Sequence, residues 1–249
     1  MPNLHLVGGG WDPAAAPEVY RPFLADATAR AGGRPAVACV VLDEGDGPAR
    51  FEQWSQVLTA VSPCAARPVL VTLGEVLDPA QLGDADGLLV GGGLTPGYAD
   101  ALVPVAGEIR SWLADGTRPY AGFSAGAAIA ARWAVVGGWR FGGVPVCPED
   151  TGEDLDELTV VPGLGLTTWS VDVHCAQWGT LPRLIEVIRT TEPGQGRGNG
   201  LGIDENTLVT IDAGGRLSVA GAGRAWLVHR GGGSGATVTP LAAGARVRP

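Results

Sequence analysis

The chain has 249 residues, 45% of them apolar, which is length enough for one sizeable core. Its formal net charge is -9, and all 17 basic residues are arginine. This argues against a phosphate-backbone partner and removes lysine bases and Schiff-base chemistry. No apolar run approaches the ~18 residues of a membrane span and no signal-like start precedes Leu4, so a cytoplasmic protein that engages neither membrane nor nucleic acid is expected.

Short apolar runs at Leu4 to Val7, Ala36 to Leu42, Pro68 to Leu73, Gly87 to Val90 and Pro119 to Gly122 are too brief for helices and end in Gly, Asp or Thr. Helical patterns lie between them at about 15 to 24, 49 to 61 and 98 to 115, the last bent at Pro104. This alternation predicts an α/β fold with a doubly wound, mostly parallel sheet, and ligands gathered beyond the C-terminal strand ends. Two glycine triplets stand at such ends. Gly8-Gly9-Gly10 reads as a tight turn, and Gly91-Gly92-Gly93 is the better place for backbone amides to meet an oxyanion. Cys39 falls mid-strand and reads as core. With Cys64, Cys147 and Cys175 it forms no CxxC pair, so free thiols rather than a disulfide or zinc site are expected.

Residues 120 to 128 read Tyr-Ala-Gly-Phe-Ser-Ala-Gly-Ala-Ala, a GxSxG run between a strand and a small-residue helix. That pattern predicts a nucleophile elbow presenting Ser124, with the amide of Ala125 as a second oxyanion donor beside Gly92 and Gly93. Of three histidines, His5 and His229 lie in strand-like segments and read as structural. His174 ends the strand-like Ser170 to Val173 just before a helix starting near Gly179, a position suited to a general base. For the orienting acid, Glu149, Asp150, Glu153, Asp154, Asp156 and Glu157 form a stretch that reads as a solvated loop, whereas Asp204 and Glu205 sit between apolar segments that would hold them rigidly.

Glu192 to Gly200 reads as a loop beside Glu205. From about 207 to 249 the pattern is β-rich: Thr207 to Ile211, Arg216 to Val219 and Ala225 to Val228 are short strands joined by turns such as Ala213-Gly214-Gly215. A homodimer through these hairpins is allowed, but nothing in the pattern requires one. No metal-ligand spacing is present, and no cofactor is expected.

Gly122-Phe-Ser-Ala-Gly-Ala127, Asp172-Val-His174 with the following Arg183-Leu184, and Gly202-Ile-Asp-Glu-Asn-Thr207 resemble the signature blocks of the serine-peptidase family containing cyanophycinase and aspartyl dipeptidase, the cyanophycinase branch being the nearer. Leu6-Val-Gly-Gly-Gly10 and Gly91-Gly-Gly93 also fit, so the likeness spans one domain over 1–249. It implies a class I glutamine amidotransferase-like, flavodoxin-like fold with a β-rich C-terminal part. It also implies Ser124 as nucleophile, His174 as base and Glu205 as its acid, with Asp150 in reserve because the aspartyl dipeptidase branch draws its acid from between serine and histidine.

The departures concern substrate. Cyanophycinase-like enzymes carry a block like Asp-Gln-His-Phe-x-x-Arg-x-Arg-x-x-Arg-Leu. Here Asp172, His174 and Arg183 match it, while Val173, Cys175, Trp178 and Thr180 do not, and Leu94 replaces a usual polar residue. Neither tryptophan nor threonine reproduces the bidentate grip of arginine on a carboxylate. The expectation is therefore a small peptide-like or amide substrate carrying at most one carboxylate, held by Arg183 beside Asp172, with an apolar part against Trp178 and Leu94. An α/β-hydrolase esterase, a non-catalytic ligand-binding relative and a biosynthetic acyl-transfer enzyme are the competing readings.

Overall fold

The computed structural model describes residues 2–115, 118–190, 198–233 and 235–248. Its first half alternates strand and helix: β1 (Leu4–Val7), α1 (Ala16–Ala31), β2 (Ala36–Asp43), α2 (Gly47–Val61), β3 (Ala65–Thr72), β4 (Gly87–Val90), α3 (Thr95–Leu102), α4 (Ala106–Ala114), β5 (Tyr120–Phe123) and the short α5 (Ala125–Ile129). The bend expected at Pro104 is a 3-10 turn over Val103–Val105 that divides α3 from α4. Helix α1 continues past the expected position 24 because Ala27 extends its buried face, and it stops where Gly32 turns left-handed.

The second half contributes β6 (Trp133–Gly137), β7 (Arg140–Phe141), β8 (Val144–Pro145), β9 (Thr159–Pro162), β10 (Ser170–Val173), α6 (Leu181–Thr190), β11 (Asn199–Ile203), β12 (Thr207–Ile211), β13 (Leu217–Gly221), β14 (Arg224–Arg230), β15 (Ala236–Ala242) and β16 (Arg246–Val247). The main sheet runs β16-β13-β12-β1-β5-β4-β2-β3. From β1 to β3 every pairing is parallel, and β12, β13 and β16 add to it antiparallel. A second sheet runs β10-β11-β14-β15, while β6 pairs with β9 and β7 with β8 in two-stranded ribbons.

Alternation along each strand divides the core into two layers. In β2, Val37, Cys39 and Val41 pack under α1 and α2 with Phe23, Leu24 and Trp54, whereas Ala38, Val40 and Leu42 face Tyr98, Leu102, Ile109 and Leu113 of α3 and α4. The winding is therefore double, as the sequence implies. The β-rich C-terminal part completes the main sheet through β12, β13 and β16 and supplies β14 and β15 of the second sheet. Helix α6 packs Leu184, Val187 and Ile188 against Val228 of that second sheet and against Val135 of β6. No helix among the described residues is long and apolar enough to cross a membrane.

Candidate active site

Strand β5 ends at Phe123, one residue beyond the sequence expectation, and the chain turns at Ser124 with φ 52° and ψ -111°. The flanking glycines permit this turn by close approach. A Cβ on Gly122 would lie 2.5 Å from the Gly126 carbonyl oxygen, and one on Gly126 would strike the Val90 carbonyl. Tyr120, fully buried, donates its hydroxyl to that Gly126 carbonyl at 2.6 Å and so ties the elbow to its strand.

Four backbone hydrogen bonds join the end of β1 to the three segments that carry the candidate triad. Val7 O accepts from Ser124 N (2.9 Å), Gly8 O from His174 N (3.0 Å), Gly9 O from Asn206 N (2.7 Å), and Gly8 N donates to Thr207 O (3.1 Å). In consequence the side chains meet although they are far apart in sequence. Ser124 Oγ lies 2.8 Å from His174 Nε2, and His174 Nδ1 lies 2.7 Å from Glu205 Oε1. An ionised carboxylate only accepts, so the proton belongs on Nδ1, leaving Nε2 free to accept from the serine hydroxyl. Burial pulls the His174 imidazole below its ordinary pKa, against the raising influence of the Glu205 carboxylate.

The histidine is also enclosed. Gly9, at φ 99°, presses bare backbone on its Cε1 side, where any Cβ would collide with the ring, and the Trp178 indole lies on the imidazole at 3.7 Å between centroids and 6° between planes. The triplet Gly8 to Gly10, read from sequence as a plain turn, thus makes room for the His174 ring. Among the described residues, five non-glycine residues have positive φ: Ser124, Glu153, Asp154, His174 and Asn206. The first four line one cleft and the fifth follows Glu205, so backbone strain, costing about 1–3 kcal/mol per residue, gathers at this place.

The cleft has a volume of about 940 Å³ and opens over Ser124, His174 and Glu205. Gly92, Gly93, Leu94 and Trp178 line it as expected. Gly92 lies against Ser124, and its carbonyl accepts from Tyr98 Oη and Arg50 Nη1, both at 3.3 Å. In a planar trans peptide this directs the Gly93 N–H the opposite way. Ala125 is the first residue of α5, where a helical N–H has no acceptor within the helix.

One expectation is corrected. Arg183 is absent from the cleft lining: its side chain is 5% exposed, and it binds the buried Asp172 in a fork, Nε to Oδ2 at 2.9 Å and Nη2 to Oδ1 at 2.8 Å, with Nη1 donating to the carbonyls of Thr151 (2.8 Å) and Gly138 (3.3 Å). Burial works against the guanidinium's charge, yet Asp172 holds its pKa above the ordinary value. Both residues are therefore framework, and neither reaches a carboxylate in the cleft. The acidic stretch is exposed at Glu149, Asp150, Asp154, Asp156 and Glu157, as expected of a solvated segment, and only Glu153 is half-buried. Glu149, Asp150, Glu153, Asp154 and Asp156 form one wall of the cleft, and Glu153 accepts from Thr95 N (3.0 Å) and Thr95 Oγ1 (3.2 Å), burial raising its pKa. Asp150 is exposed there and makes no hydrogen bond to His174, whose Nδ1 is engaged by Glu205.

Sequence reasoning gave Gly9 no part in the site and passed over Tyr98, Arg50 and Gln177, the last of which accepts from Glu205 N at 2.9 Å. Of these only the glycine left a signal, its place at a strand end. His5 is buried against Asp26, and His229 bonds Asn199, so both are structural as read. All four cysteines are free thiols. Most of the loop at 192–200 lies outside the described residues.

The fold has relatives among solved structures. A peptidase from an acI-B1 Actinobacterium superposes with a TM-score of 0.66 at 20% identity, covering 99% of this chain and 96% of the other. A candidate peptidase E protein from Listeria monocytogenes EGD-e gives 0.55 at 14% identity, covering 89% and 99%. The fold is peptidase E-like. No protein-family model matches the chain, and no curated protein matches it by sequence.

Proposed function

We propose that the chain is a serine peptidase or amidase that cleaves a small peptide-like substrate through an acyl-enzyme on Ser124. The observation that carries this reading is the unbroken hydrogen-bond chain from Ser124 Oγ through His174 to Glu205, mounted on a strained elbow at the foot of a cleft. His174 Nε2 takes the hydroxyl proton as Oγ attacks the scissile carbonyl, and Glu205 holds the imidazole in the Nδ1–H tautomer and stabilises the imidazolium. The N–H groups of Gly93 and Ala125 receive the oxyanion, whereas Gly91 O accepts from Gly126 N (3.0 Å) and so turns the Gly92 N–H, also expected from sequence as a donor, away from the elbow. His174 then returns its proton to the leaving amine, and water, deprotonated by the same nitrogen, releases the acid. The peptidase descriptions of the two structural relatives agree with this chemistry.

The cleft's charge supports a substrate class. Seven carboxylates line it, Glu44, Glu149, Asp150, Glu153, Asp154, Asp156 and Glu205, and its arginine, Arg50, is already paired with Asp46 at 2.7 Å and Glu44 at 3.4 Å. With Arg183 withdrawn into the framework, an anionic side chain would meet repulsion, so neutral or cationic dipeptides are the preferred substrates. The test is a panel of aspartyl, glutamyl, neutral and basic dipeptides alongside labelling by a serine-directed fluorophosphonate. Ser124→Ala is expected to abolish both turnover and labelling. Labelling that survives the substitution removes Ser124 from the chemistry, and fastest turnover of an acidic dipeptide refutes the charge argument.

A further inference from the structure

Between His174 and α6 the chain makes one helical turn, closed by Trp178 N donating to His174 O at 2.8 Å. This turn is joined to the segment bearing Glu205 at three consecutive residues: Cys175 N donates to Ile203 O (3.2 Å), Ala176 N to Asp204 Oδ1 (3.0 Å), and Gln177 Oε1 accepts from Glu205 N (2.9 Å). The left-handed backbone of His174 starts the turn, and the turn brings the Trp178 side chain back over the histidine that began it.

The contact is a face-to-face stack at 3.7 Å and 6°, with the imidazole buried and the indole 40% exposed. Two hydrogen bonds fix the imidazole along its Nε2–Nδ1 direction, and Gly9 blocks its Cε1 side. Rotation out of the plane of those bonds is what the indole prevents. The imidazole takes one face of the indole, and the rest of the Trp178 side chain stays exposed along the cleft.

Resting on the serine-hydrolase reading above, we infer that Trp178 is a positioning residue for the general base: its indole locks the His174 ring in the plane that serves both Ser124 and Glu205. A substrate wall and a positioning cover make different kinetic predictions. Loss of a wall weakens binding and raises KM. Loss of the cover leaves the base misaligned in the transition state, where small displacements cost about 10- to 100-fold in rate.

The experiment compares Trp178→Ala and Trp178→Phe with the intact chain. It measures kcat and KM on the best dipeptide of the panel, and the rate of Ser124 labelling by a small alkyl fluorophosphonate that carries no peptide portion to meet a wall. Trp178→Ala is expected to lower kcat and the labelling rate together by about 10- to 100-fold, with KM changed by less than about threefold. Trp178→Phe, which restores a flat ring, is expected to recover both rates to within about threefold. A rise in KM with kcat and labelling unchanged overturns the inference and returns Trp178 to substrate binding. Equal loss in both variants also overturns it. Failure of the hydrolase reading looks different: the intact chain is then unlabelled, or Ser124→Ala labels as fast as the intact chain, and the inference falls with it.

Discussion

Arg183→Met tests whether the buried arginine is framework or ligand. Both partners of the Arg183–Asp172 pair are buried, at 5% and 1% side-chain exposure, and the fork is completed by carbonyls of Thr151 and Gly138. Removing the cation leaves Asp172 as an uncompensated buried charge, which costs about 3–5 kcal/mol. At about 2–4 °C per kcal/mol for a chain of this length, the unfolding midpoint is expected to fall by roughly 6–20 °C. The double variant Arg183→Met with Asp172→Leu replaces the pair by apolar groups and is expected to recover more than half of that loss, because such replacements are often near neutral. Thermal and urea unfolding of the three proteins, with dipeptide kinetics on each, is the assay. A single variant that unfolds within about 2 °C of the intact chain while its KM rises tenfold would show that the guanidinium serves substrate after all.

Gly9→Ala is expected to cut kcat by at least about 100-fold, since its Cβ would collide with His174 and its φ of 99° suits no side chain; an active Gly9→Ala protein in steady-state assays would contradict the packing described around the base. Because burial disfavours the His174 imidazolium, the base stays neutral to lower pH than a solvated histidine. The acid limb of kcat/KM should accordingly have its midpoint below about 6.5, and Glu205→Gln should move it lower still while slowing turnover. A midpoint above that value contradicts the assigned direction. Tyr120→Phe deletes the hydroxyl that the Gly126 carbonyl accepts, with an expected loss of about 1–3 kcal/mol in urea unfolding; no measurable loss would mean that the elbow stands without it.

The parallel half of the fold was legible because its strands are buried on both faces and read as unbroken apolar runs between helical patterns, as in Ala36 to Asp43. Ser124 and His174 were each marked by a local cue, the acid only as Asp204 or Glu205 until the family resemblance singled out Glu205, and the three side chains come within hydrogen-bond distance. What escaped was long-range. Two-residue strands such as Arg140–Phe141 and Arg246–Val247 carry no period to detect, and which sheet β12 or β14 would join depends on partners far away in sequence. Arg183 was misread for the same reason: an arginine in a binding block and one in a buried ion pair are the same letter, and only Asp172, Thr151 and Gly138 closing around it decide between them. Gly9 was undervalued because the ring it accommodates lies more than 160 residues on.

The hydrogen bonds radiating from the end of β1 bear on the order of assembly. The strands β2, β3 and β4 pair within a short stretch of chain, whereas β1 must wait for β5 on one side and β12, some 200 residues later, on the other. Loop closure of that length is expected to make the β1–β12 seam a late event, and it is at this seam that Ser124, His174 and Glu205 acquire their common backbone anchor. Catalytic competence should therefore appear in refolding only after most of the helical signal has returned, so that regain of activity reports closure of the sheet rather than collapse of the core.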